Sequence, residues 1–96
     1  MKVRLLAATQ QELDDAFVWY NAQAVNLGYD FLDEFDRVIR RAVAFPLGCP
    51  EIDPGLRRCL LNRFPYGLIY GLDGEMLVVV AVAHLHRKPS YWIERS

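Results

Sequence analysis

Eight consecutive apolar residues, Met76-Leu77-Val78-Val79-Val80-Ala81-Val82-Ala83, constrain this chain more than any other feature. Four of them are valine, whose branched Cβ stiffens χ1 and suits a pleated backbone. The run is well short of the about 20 apolar residues that cross a bilayer, so a membrane span is not expected. Because it has no polar alternation, both faces of the strand it forms must be covered, and it belongs in the middle of a sheet. A chain of 96 residues buries only roughly 60–65% of the surface its unfolded form exposes, which leaves room for one core. Residues 1–96 are therefore expected to form a single domain. With 53% hydrophobic and 12% aromatic residues the composition is far from that of disordered chains. The N-terminus, Met1-Lys2-Val3-Arg4-Leu5-Leu6, lacks a long apolar segment and a small-residue cleavage site, so a cytoplasmic location is expected. In that compartment Cys49 and Cys59 read as free thiols.

The elements around the central strand follow from periodicity. Lys2 to Leu6 alternates and then ends in two leucines, which predicts a short strand beside the central one. Thr9-Gln10-Gln11-Glu12 has the spacing of a capping box at a helix start. Leu13, Ala16, Phe17, Tyr20, Ala24 and Leu27 then recur at steps of three and four, as one helix face requires. Asn26 to Gly28 breaks the pattern, and a second stripe runs Phe31, Leu32, Phe35, Val38, Ile39, Ala42 and Val43 until Pro46 and Gly48 stop it. So short a break predicts an antiparallel helix hairpin, with Asp33, Glu34 and Asp36 on its solvated face. Phe45 to Gly55, rich in proline and glycine, reads as a connecting loop without structure of its own. Two further strands follow, Arg58 to Arg63 and Gly67 to Leu72, and Asp73-Gly74 turns the chain into the central strand. The predicted fold is α+β, in the order β-α-α-β-β-β: an N-terminal strand, a helix hairpin, and a three-stranded antiparallel meander.

The formal net charge of −1 hides a split. Residues 1–56 carry five basic and nine acidic side chains, a net of −4, whereas residues 57–96 carry six basic and three acidic ones, a net of +3. An acidic partner is therefore expected on the C-terminal half. Three groups of residues could carry chemistry there or on the hairpin. The segment after the central strand, His84-Leu85-His86-Arg87-Lys88-Pro89-Ser90-Tyr91-Trp92, places a histidine, an arginine and a tyrosine at one strand end. Such a set could cleave RNA without metal: a base takes the 2′-hydroxyl proton, Arg87 stabilises the crowded phosphate, and an acid protonates the leaving oxygen. Equally, His84 reads as a satisfied core-edge residue, with Tyr91 and Trp92 packing the tail onto the sheet. Arg57, Arg58 and Arg63 could bind phosphates or an acidic partner, or simply deter edge pairing. Trp19 and Tyr20 with Phe31 and Phe35 read as hairpin core, or as one wall of a partner groove. Two histidines two residues apart, with cysteines far upstream, match no zinc spacing. There is no Gly-rich phosphate loop either. No metal and no cofactor are expected.

The run Arg58-Cys59-Leu60-Leu61-Asn62-Arg63-Phe64-Pro65-Tyr66-Gly67-Leu68-Ile69-Tyr70, the short hairpin, and the strand leading to Ala81-Val82-Ala83-His84-Leu85-His86-Arg87-Lys88-Pro89-Ser90-Tyr91-Trp92 resemble the RelE/ParE superfamily of toxins from bacterial type II toxin–antitoxin systems. Ala16 to Tyr20 and Leu27 to Phe35 fit its helix hairpin. The resemblance covers nearly the whole chain, and it implies one of two activities. RelE-like members cleave messenger RNA on the ribosome; there the strand-end arginine would fall on Arg87, the terminal tyrosine near Tyr91 or Trp92, and a further arginine at Arg63, with His84 beside them. ParE-like members bind DNA gyrase and block it as a protein partner. Phe64-Pro65-Tyr66 and the His84-to-Trp92 pattern lie closer to the ParE branch, and a chain whose only lysines are Lys2 and Lys88 offers few cations for ribosomal RNA. The resemblance thus implies a gyrase-binding toxin, not an enzyme, with no membrane partner and no direct DNA contact of its own; the alternatives are the RelE-like nuclease and an inactive binding module derived from the family. It further implies a hetero-oligomer with a cognate antitoxin, whose acidic amphipathic C-terminal segment would cover Trp19, Tyr20, Arg57, Arg58, Arg63, Arg87, Tyr91 and Trp92.

Overall fold

The computed structural model describes residues 1–95. β1 (Lys2–Leu5) leads into helices α1 (Ala7–Gln23) and α2 (Leu27–Ala44). β2 (Glu51–Asp53), β3 (Leu56–Leu60), β4 (Tyr66–Asp73), β5 (Met76–His84) and a 3-10 turn at Ile93–Arg95 follow. The sheet order is β1-β5-β4-β3-β2. β5 thus lies between β1, which runs parallel to it, and β4, which runs antiparallel. This is the place its unbroken apolar run demands: Leu77, Val79 and Val82 face the helices, while Val80, Ala81 and Ala83 face the opposite side.

The predicted element order holds, with one addition. β2 occupies part of the segment expected to be a structureless loop, because Glu51 and Asp53 pair with Arg57 and Leu56 across a bulge. The loop before it is fastened by contacts distant in sequence. Tyr70 donates its hydroxyl to the Pro46 carbonyl at 2.6 Å, and Arg57 Nη1 reaches the carbonyls of Leu47 (3.2 Å) and Cys49 (2.7 Å). A disulfide also joins Cys49 to Cys59, which overturns their reading as free thiols. The two lie ten residues apart, and the return of the chain along β3 brings their Cα atoms to 5.4 Å, within ordinary disulfide reach.

Both layers have their own core. Between helices and sheet lie Tyr20, Phe31, Phe64 and Tyr66, rings packed edge-on or stacked at 4.8–6.2 Å. On the far face Leu56, Ile69, Val80, Ala81 and Ala83 are covered by Trp92. The hairpin closes tightly at Gly28, where a Cβ would stand 2.6 Å from the Phe17 carbonyl oxygen. Its free N–H donates to Asn21 Oδ1 at 2.8 Å.

Two more expectations are corrected. α1 begins at Ala7 with Leu6 as its N-cap and without a side-chain cap, so Thr9 and Glu12 do not form a capping box. Instead both point into the sheet. Val80 has no partner across β4, since Ile69 pairs with Ala81 and Tyr70 with Val79; this is a bulge that leaves backbone groups unpaired. The buried Thr9 hydroxyl lies 2.9 Å from the Val79 carbonyl and 2.7 Å from that of Val80, sharing its one proton between them. The second correction concerns Glu34, expected on a solvated face. It is 3% exposed, and its carboxylate accepts the N–H groups of Asn62 and Arg63 at 3.1 Å. A buried carboxylate needs such donors, and these two pin the β3–β4 turn to α2.

Candidate functional site

The strand-end cluster is organised around Glu12. β1 pairs with β5 only as far as Val79, so beyond that point the β1-side edge of β5 needs another cover. Glu12, one turn after Thr9 on the same helix face, supplies it: Oε1 accepts the Val82 N–H at 3.1 Å. The same carboxylate collects the C-terminal segment. Tyr91 donates its hydroxyl to Oε2 at 2.5 Å, Arg95 Nη1 lies 2.9 Å from Oε1, and Arg87 Nη1 lies 3.4 Å from Oε2. The Arg87 guanidinium also stacks on the Tyr91 ring, its Cζ 3.8 Å from the centroid. Arg95 covers the same ring at 5.0 Å and reaches the Val80 carbonyl at 3.3 Å. One carboxylate therefore joins α1, the bulged strand and the tail.

These contacts decide what the cluster can do chemically. The Tyr91 phenol is held well above the ordinary tyrosine value, first by burial and then by its hydrogen bond and charge interaction with Glu12, against the opposing pull of Arg87 and Arg95. It stays protonated and is no base. Arg87 is engaged by a carboxylate and a ring, and the negative charge beside it disfavours a phosphate. His84 accepts the His86 N–H at Nδ1 (3.1 Å) and meets the Tyr66 ring edge-on at 5.1 Å, an arrangement that caps the strand end. Trp92 is 7% exposed and packs the tail on the sheet as one of the two readings expected; its indole N–H has no partner among the described residues.

The remaining predicted residues are separated by the fold. Tyr20 is buried among the core rings, whereas its neighbour Trp19 is 58% exposed, beside a cavity of about 270 Å³ that it shares with Glu12, Asp15, Tyr66, His84 and Arg87. Arg57 is spent on the loop carbonyls, and Arg63 faces α2, 3.7 Å from Asp30 and with its guanidinium 5.4 Å from the Phe64 ring centre. Only Arg58 of the three is an exposed cation without an ion pair among the described residues. The structure thus brings together His84, Arg87, Tyr91 and Trp19 and leaves Arg63 outside the group. Glu12, which centres it, was absent from the predicted set. Its signal was the Thr9-to-Glu12 spacing, which places both on the same face as Leu13 and Ala16. Among the described residues no group of three or more His, Cys, Asp or Glu could hold a metal ion, and no helix is long and apolar enough to cross a membrane.

The chain is similar to one in a solved structure titled "Chromosomal ParDE TA system from P. aeruginosa". The likeness has a TM-score of 0.73, covers 90% of this chain and 97% of that chain, and comes with 16% sequence identity, so it establishes the fold. No protein-family model matches the sequence, and no curated protein matches it.

Proposed function

We propose that this protein is a ParE-like toxin of a type II toxin–antitoxin system: it acts in the cytoplasm by binding DNA gyrase and is neutralised by a cognate antitoxin. The fold shared with a chain of a ParDE system supports the class. The observation that carries the choice within it is the Glu12 centre. A RelE-like nuclease needs a proton acceptor and a guanidinium free to meet a phosphate. Here the phenol is held protonated, and the arginine is shared between Glu12 and the Tyr91 ring. Protein binding asks for none of that chemistry. Exposed Trp19 beside a cavity offers an aromatic anchor of the kind that dominates interfaces.

A supercoiling assay with purified gyrase tests the reading. Inhibition at micromolar protein is the expected result, and full supercoiling at that concentration overturns it. Primer extension on translated messages after induction examines the nuclease alternative. Codon-positioned cuts that vanish in Arg87→Ala would replace gyrase binding with RNA cleavage, and uncut transcripts during growth arrest are expected.

A further inference from the structure

The two sulfurs of the Cys49–Cys59 bond meet solvent unequally. Cys59 sits on β3 opposite Leu68 of β4 and is 1% exposed in the core between helices and sheet. Cys49 lies on the loop before β2, half-buried against that core. A cavity of about 570 Å³ opens beside the bond, between the end of α2, the loop and β3. That lies within the roughly 300–1,000 Å³ of ordinary small-molecule sites. Arg41 and Arg58 line it, both exposed and neither ion-paired among the described residues, and no acidic side chain of those residues lines it. The loop is also fastened on either side of Cys49 by hydrogen bonds that do not need the disulfide. Tyr70 holds the Pro46 carbonyl, Arg57 holds those of Leu47 and Cys49, and the Arg58 N–H donates to the Pro50 carbonyl at 3.0 Å.

We propose that Cys49–Cys59 is a reversible exchange site for low-molecular-weight thiols that carry carboxylates, with attack confined to Cys49. The cavity admits the thiol, the two guanidiniums attract its carboxylates, and the exposed sulfur is the one it reaches. The incoming thiolate bonds to Cys49 Sγ, the Cys49–Cys59 bond breaks, and the Cys59 sulfur leaves with the electron pair and takes a proton from solvent. Two courses then open. Cys59, deprotonated again, attacks Cys49 Sγ and expels the small thiol, or a second thiolate attacks the small thiol's own sulfur and leaves Cys49 as a thiol. The second course reduces the protein disulfide to a dithiol and oxidises two small thiols to their disulfide. Because β3 keeps Cys59 in place and the loop keeps its hydrogen bonds, the sulfurs stay close and the bond re-forms when the small thiols are oxidised. Reduction leaves the loop and β2 closed by hydrogen bonds alone. In a compartment that keeps thiols reduced, the thiol pool therefore sets how firmly this edge of the sheet is held.

The exchange is independent of gyrase binding and is read on the protein alone. Native oxidised protein is incubated with reduced glutathione, quenched in acid, alkylated and mapped by peptide mass spectrometry. The expected adduct is on Cys49, with Cys59 recovered as the alkylated thiol, at urea concentrations well below the unfolding transition. Amide exchange of the reduced protein is expected to speed up at Arg58 and across β2, with β4 and β5 unchanged. With oxidised glutathione, Cys59→Ser acquires an adduct on Cys49 under native conditions, and Cys49→Ser acquires one on Cys59 only in urea. Charge selection is read by comparing mercaptopropionate with cysteamine. Each rate is divided by the same thiol's rate on a neutral model disulfide, which removes intrinsic nucleophilicity. At low salt the acid is expected to be favoured at least about tenfold, and Arg41→Glu with Arg58→Glu to abolish the preference. A native adduct on Cys59, exchange that begins only as the protein unfolds, or a preference that the arginine pair does not alter would each overturn the proposal.

Discussion

Replacing Glu12 with alanine removes the group on which α1, the β5 edge and the tail converge. Its carboxylate is largely buried and holds four partners. The contact with Arg87 adds little, because that side chain is half exposed. The bonds from Tyr91 and Arg95 involve an ionised acceptor in a sheltered site, and such bonds are worth about 1.5–3 kcal/mol each. Truncation also leaves the Val82 N–H unpaired at the strand edge, at a cost of about 1–3 kcal/mol. These terms overlap, since the Tyr91 hydroxyl can turn to water, so the expected loss is about 3–5 kcal/mol, as for removing one member of a buried ion pair. A domain of this size has roughly 5–14 kcal/mol in total, and the change corresponds to a fall in Tm of at least about 12 °C. Urea and thermal unfolding followed by circular dichroism give the magnitude. A Trp19→Phe background leaves Trp92 as the sole indole, and its emission shifts to the red if the tail leaves the sheet. Glu12→Gln keeps an acceptor for Val82 and loses the charge, so it should fall between wild type and alanine. A loss below about 1 kcal/mol with unshifted Trp92 emission would refute the central role given to this carboxylate.

Three further outcomes follow from the same contacts. Replacing Cys49 and Cys59 with serine opens a loop of ten-residue separation and should cost about 3 kcal/mol by chain entropy, read as a lower urea midpoint that added reductant no longer changes. Thr9→Val keeps the shape and removes one donor from two carbonyls that retain the Leu6 N–H and Arg95 Nη1, for a loss of about 0.5–1.5 kcal/mol in the same assay, whereas Gln10→Ala on the exposed face should be neutral. Tyr20, Tyr66, Tyr70 and Tyr91 are all raised above their ordinary value of 10.0, chiefly by burial. Unfolded chains therefore release these protons first, and stability that is complete below that value falls as pH climbs past it. The urea midpoint should drop steadily above about pH 10, less steeply in Tyr91→Phe, and a flat profile would contradict the buried phenols.

Where a residue's role follows from its neighbours in sequence, the fold was legible. The apolar run of β5, the Asp73-Gly74 turn and the alternation in β1 each specify their element locally, and the resemblance of the C-terminal half agreed with them. What escaped depends on tertiary register. Thr-x-x-Glu is the same signal whether it caps a helix or faces a strand edge, and the bulge at Val80 that decides between them has no local mark. Glu34 was legible in principle: it lies three residues after Phe31 and four before Val38 on the buried stripe, yet its charge argued for solvent until the amides of Asn62 and Arg63 were in place. β2 is held by a disulfide, by Arg57 and by Tyr70, none of which is visible in Phe45 to Gly55 alone. At the candidate site, His84, Arg87 and Tyr91 could be named from the strand end, but the acid that engages Arg87 and Tyr91 lies 75 and 79 residues upstream of them.

The parallel pairing of β1 with β5 sets residues 2–5 against residues 76–79, so its first contact spans most of the chain. The helix hairpin and the β3–β4–β5 meander can form from nearby residues, but β1 must wait for a loop spanning most of the chain to close, and such closures slow folding. β1 should be the last strand to seat and the first to fray, with amide exchange fastest there. The central strand would then spend the early part of folding with one edge bare. Thr9 and Glu12 reach the far half of that edge across the same span of chain, so its cover arrives together with β1.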